Sequence, residues 1–150
     1  MISNQNKDVE RRHFVLVGSH ENWKTSLSHN LWGFTENSKG FWNKTNTGDL
    51  LAFYVMSPLR KVMGFGSVGK KFINEDLVWN DEKLFKRSLW KYKFEIKPSY
   101  VCEDWNRGIA LPSMDLGMSR KLVDKQTFVN MVKHADKAWD SSLFKEFFSK

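Results

Sequence analysis

The sequence predicts an α+β fold, a small open β-barrel with helices at its periphery. Three observations carry that expectation. Trp90–Val101 alternates, with Trp90, Tyr92, Phe94 and Ile96 on one face and Lys91, Lys93, Glu95 and Lys97 on the other. That is the period of a half-buried strand with a basic outer face. Two β-prone runs, Leu50–Met56 and the glycine-containing Lys61–Lys71, stand on either side of Pro58 and suit a hairpin. Helical patterns, in contrast, are few and lie outside these strands, at Asn22–Ser28, Asn80–Phe85, Lys125–Ala135 and the stretch from Trp139.

In chain order, residues 1–12 lack a periodic pattern and read as a flexible N-terminal tail. His13–Val17 reads as a strand ending at Gly18-Ser19. Ser19 then caps a short helix, Asn22–Ser28, with Asn22 at its third position. Trp23 and Leu27 share one face of it, and Lys24 and Ser28 face water. Leu31–Thr35 is a second strand, followed by a polar loop at Glu36–Gly40, a helical turn at Phe41–Lys44 and a turn at Thr47-Gly48-Asp49. Asn80–Phe85 reads as a short capped helix. Asp124 caps Lys125–Ala135, whose Phe128, Val129, Met131 and Val132 make one face. Trp139, Leu143, Phe144, Phe147 and Phe148 form a second amphipathic helix, a C-terminal extension from about residue 136 and a candidate surface for a protein partner. No repeat or linker interrupts residues 13–150, which read as one domain.

Composition narrows the function. Of 150 residues, 24 are Lys or Arg and 17 are Asp or Glu, a net charge of +7 that favours phosphate-rich partners. Seven Trp and twelve Phe exceed what a barrel core of this size needs and leave rings for a binding site. A single cysteine, Cys102, excludes an intramolecular disulfide and thiolate-rich zinc sites. The four histidines have no metal-ligand spacing, so neither a metal nor another cofactor is expected. No apolar run approaches the ~18 residues of a membrane span, and the N-terminus is unlike a signal peptide. A cytoplasmic protein without membrane contact is the expectation.

Gly64-Phe65-Gly66-Ser67-Val68-Gly69 satisfies G-x-G-x-x-G, but that motif needs a helix after its last glycine to bind phosphate. Lys70-Lys71-Phe72-Ile73 continues as strand. The glycines therefore read as a bend, or as room for a neighbouring backbone. More informative are Asn22, near a strand's carboxyl end, and Trp32, on the return strand. An amide beside an indole can hold a planar, hydrogen-bonding ring such as a nucleobase. Arg60, Lys61, Lys70, Lys71, Lys91, Lys93, Lys97, Arg107, Arg120 and Lys121 make either a solvated face or a phosphate track around such a pocket.

The run from His13 to Trp32, with its G-S-x-E-N-W spacing and Leu31-Trp32-Gly33, resembles the EVE domain of the PUA superfamily. Gly48-Asp49-Leu50-Leu51-Ala52-Phe53-Tyr54-Val55, Val62–Gly66, the strand ending at Ile96-Lys97-Pro98 and Gly117–Leu122 resemble further landmarks in the same order. The stretch is also similar to the related YTH domain, a reader of methylated adenine in RNA. The resemblance implies a PUA-like pseudobarrel that recognises a modified, methylated base in RNA, or in single-stranded or flipped-out DNA. The implied base pocket comprises Ser19, Asn22, Trp32, Gly33, Thr35 and Phe94, with Phe94 standing where a cage tryptophan would be. Lys91, Lys93, Arg120 and Lys121 would hold phosphates. The alternative is an amidohydrolase of the related ASCH type acting on a modified nucleoside, with Lys39, Thr35 and Glu36 as candidate residues.

Overall fold

The computed structural model describes residues 11–111, 116 and 120–149. Residues 1–10 of the expected tail and Gly117-Met118-Ser119 lie outside the described residues. The last two tail residues are tied to the body. The Arg12 N–H donates to Asp49 Oδ1 at 3.0 Å, its carbonyl accepts from the Leu50 N–H, and the Arg11 guanidinium donates to the Phe147 carbonyl.

Six strands, β1 (His13–Gly18), β2 (Leu31–Phe34), β3 (Leu50–Val55), β4 (Lys61–Ile73), β5 (Tyr92–Val101) and β6 (Arg120–Val123), form one sheet in the order β2-β5-β4-β3-β1-β6. β1 and β3 are parallel, and every other pair is antiparallel. β1 lies between two partners and is buried along its whole length, which explains its unbroken apolar run. The sheet curls strongly enough that the Trp32 ring of β2 reaches Gly18 at the end of β1, although β5, β4 and β3 separate the two strands. The result is the open α+β barrel that the alternation predicted.

The helices are α1 (His20–His29), α2 (Lys39–Asn43), α3 (Asn80–Phe85), α4 (Lys125–Trp139) and α5 (Leu143–Phe148). Two apolar cores lie on the two faces of the sheet. Phe14, Leu16, Trp23, Phe53 and Phe94 fill the concave side. Val15, Ala52 and Phe65 face α4 and α5, whose Phe128, Val132, Leu143 and Phe147 cover the other side. The apolar face of α5 is therefore occupied within the molecule, and the expected partner surface is instead part of this second core. Among the described residues, no helix is long and apolar enough to cross a membrane.

The glycine-rich run is strand β4 throughout, as its lack of helical periodicity implied. Its pairing shifts register at Phe65/Gly66 and Val68/Lys71 against β5. A Cβ on Gly66 would stand 2.4 Å from the Lys97 carbonyl oxygen and 2.9 Å from the Phe53 ring. The glycine thus admits a neighbouring backbone and a core aromatic, with no phosphate involved.

Candidate functional site

At the carboxyl end of β1 the curled sheet leaves a cavity of about 250 Å³, below the roughly 300–1,000 Å³ of drug-sized sites. Its lining explains its position. β1 ends in Val17 and Gly18, and Ser19 starts α1 as a true N-cap, its Oγ accepting from the Asn22 N–H at 3.1 Å. The first turns of α1 then bring Asn22 and Ser26 to the cavity, and β2 returns with Trp32 and Gly33. The segments flanking α3 supply Trp79 and Trp90, and Met56 completes the wall.

Three tryptophans thus converge. Trp32 is only 6% exposed and packs on Trp23 with ring centroids 4.7 Å apart. Trp23 is itself fixed by its Nε1–H, which donates to the Tyr54 carbonyl at 2.8 Å. Trp79 donates its Nε1–H to Ser26 Oγ at 3.0 Å and meets Trp90 edge to face at 5.6 Å. Gly33 lies under both rings: a Cβ there would stand 2.6 Å from Trp90 Cβ and 3.1 Å from Trp79 Cη2. The Asn22 side-chain amide has no hydrogen-bond partner among the described residues, so both its donors and its acceptor remain open to a ligand.

The lining carries no ionisable side chain. It suits a flat, uncharged ring with a hydrogen-bonding edge, and it offers no general acid or base. Lys39, Thr35 and Glu36, the candidates for amide hydrolysis, are absent from it. Glu36 accepts from the Tyr92 hydroxyl at 2.9 Å and pairs with Lys91 at 3.3 Å, and these contacts hold its carboxyl below the usual range. Cys102 lies apart in the concave core, its thiol pushed up to about 11 by burial. Among the described residues, no group of three or more His, Cys, Asp or Glu could hold a metal ion.

Of the expected pocket residues, Ser19, Asn22, Trp32 and Gly33 line the cavity, and Thr35 and Phe94 do not. Thr35 lies past the end of β2, where the chain turns away. Phe94 pairs with Trp32 across β2 and β5, but its ring is fully buried against Phe34 in the concave core. The aromatic walls come instead from Trp79 and Trp90. Two tryptophans bracketing a short Asn-Asp-Glu helix were the available sequence signal.

The four expected phosphate ligands do not form a track. Lys93 is fully buried, because the segment after β4 folds over that face of β5. Its Nζ donates to the Asn74 carbonyl at 2.9 Å and to Asn74 Oδ1 at 2.7 Å, and burial lowers its pKa. Arg120 is half-buried over the rings of Phe14 and Phe41, and burial together with nearby Arg12 brings it down to about 10. Lys91 forms an ion pair with Glu36 at 3.3 Å. Lys121 is partly exposed on β6, opposite Val15, and three strands lie between it and β5 in the sheet.

No family model matches the sequence, and no curated protein matches it. Its fold is shared with solved YTH domains. The Mmi1 YTH domain in complex with RNA superposes with a TM-score of 0.60 at 15% identity, over 87% of this chain and 81% of that one. The Pho92 YTH domain in complex with m6A gives 0.56 at 16% identity, over 83% and 82%. The Toxoplasma CPSF4 YTH domain, in complex with an m6A-modified RNA, gives 0.54 at 18% identity, over 82% and 89%. The protein is thus a YTH-like open barrel with an uncharged, tryptophan-lined cavity.

Proposed function

We propose that this chain is a reader module that binds RNA through a methylated base inserted between Trp32, Trp79 and Trp90. The observation that carries the reading is the cavity itself: three indoles, an open amide and no charge, at the end of β1. Support comes from the similar solved domains, several of which are in complex with RNA or m6A. Stacking supplies ~1–3 kcal/mol per base, and the Asn22 amide reads the base edge. Methylation adds apolar surface that the indole walls bury. Within this reading, the landmarks from Gly18 to Trp32 and from Gly48 to Val55 favour the EVE branch of the fold. Single-stranded DNA with a modified base is the second polymer to test.

The test is a titration of short oligonucleotides carrying one N6-methyladenine, one methylated cytosine or neither, each as RNA and as DNA. Tighter binding of one methylated RNA than of its unmodified twin is expected. Equal affinity for all of them, or none for any, would sink the proposal.

A further inference from the structure

Trp79 and Trp90 come from segments on either side of α3, and nothing in their local sequence sets the distance between them. One side chain outside the cavity lining touches both segments. The Glu82 carboxylate is fully buried in α3. Its Oε1 accepts from the Val78 N–H at 2.8 Å and the Trp79 N–H at 3.2 Å. Its Oε2 accepts from the Leu89 N–H at 2.9 Å and the Trp90 N–H at 3.0 Å. Each oxygen serves one wall of the cavity. No lysine, arginine or histidine lies within ion-pair distance of it among the described residues. Burying a carboxylate outside an ion pair is costly, and here four backbone donors offset that cost.

We infer that Glu82 is a positioning residue that clasps the two tryptophan walls at a fixed separation before any ligand arrives; the inference rests on the base-reading proposal. An apolar residue of similar volume would fill the same space without joining the two segments. A wall fixed in advance removes ordering cost from binding, so the effect of Glu82 is expressed in affinity although it touches no ligand. Gly33 beneath the rings and Ser26 beneath Trp79 orient the walls against β2 and α1. The Trp79 and Trp90 rings also meet edge to face, and Glu82 ties the backbone of one wall to that of the other.

The experiment compares Glu82→Gln with the wild type and with Val132→Ala, a control that weakens the second core on the opposite face of the sheet. Glutamine keeps one acceptor oxygen and turns an NH₂ toward two N–H groups, which releases one wall. In Glu82→Gln the indole NMR signals of Trp79 and Trp90 should shift and broaden, with those of Trp23, Trp42 and Trp139 unchanged. Affinity for an RNA carrying one N6-methyladenosine should fall roughly tenfold per folded molecule, whereas Val132→Ala, compared at the same folded fraction, should retain it. Unchanged indole signals, or an affinity loss equal in both variants, overturns the inference. If the glutamine variant does not fold, amide exchange in the wild type decides: one common opening rate for Val78, Trp79, Leu89 and Trp90 supports the clasp, and independent rates overturn it. If the wild type binds no methylated probe, the base-reading proposal fails, and the indole signals still decide the clasp.

Discussion

Trp32 lines the cavity and also packs on Trp23 within the concave core. Its truncation to alanine should cost about 3–5 kcal/mol of stability, and lost binding would then partly report unfolding. Trp90, partly exposed and outside the two cores, is the cleaner probe. Trp90→Ala should melt close to the wild type by circular dichroism and lose ~1–3 kcal/mol of affinity for the methylated oligonucleotide. Asn22 separates two roles equally well. The helix cap uses Ser19 Oγ and the Asn22 backbone N–H, so Asn22→Ala leaves the cap intact. It should keep its melting temperature and lose about 1 kcal/mol of binding. A lowered melting temperature with unchanged affinity would retire the amide as a base contact. Ser19, Asn22, Trp32 and Gly33 were legible in the sequence because they sit on consecutive elements at one strand end. Trp90 was not, since it extends the alternation of Tyr92, Phe94 and Ile96 by one step although β5 begins only at Tyr92. Its true partner, Trp79, is brought to it by a buried carboxylate, and no periodicity announces that.

Among the elements, α5 tests how the second core is closed. Leu143 and Phe147 are almost fully buried there, each worth about 1.5–3 kcal/mol. The Asp136 carboxylate holds α5 on α4, accepting from the Leu143 and Phe144 N–H groups at 2.7 and 2.8 Å. A chain ending after Ala135 should therefore lose several kcal/mol, seen as a lower urea midpoint or loss of a cooperative transition. A truncated chain as stable as the whole would mean that the helix is an appendage. The amphipathic pattern of this helix was plain in the sequence, but not what its apolar face covers, because periodicity shows a face and not its partner. β5 teaches the same lesson from the polar side. Its alternation placed Lys93 on the outer face correctly, and the segment carrying Asn74 then covers that face.

For the whole molecule, the distribution of the +7 charge decides what salt should do. Exposed phosphate contacts to a single strand each add about −0.7 to the slope of log affinity against log salt. Lys93→Met should lower the melting temperature and leave that slope unchanged, because its ammonium is enclosed. A slope reduced by one contact would show that Lys93 reaches the nucleic acid. Acid acts through Glu82. Burial raises its pKa, the four backbone donors together lower it by more, and the net result lies below its ordinary 4.5. Its contribution is thus fully present above that value and lost as pH falls through the folded-state pKa. Acid melting should steepen below about pH 4.5 in the wild type and flatten in Glu82→Gln. The position of β1 has a kinetic consequence. This strand pairs with β3 on one side and, on the other, with β6, whose residues lie more than a hundred positions further along the chain. Until that late strand arrives, β1 presents an open, largely apolar edge of the kind that recruits other chains. Contacts closed at such separations slow folding toward the millisecond-to-second range of non-local β topologies. Refolding yield should therefore fall with protein concentration, because a waiting β1 edge can meet a second molecule before its own β6.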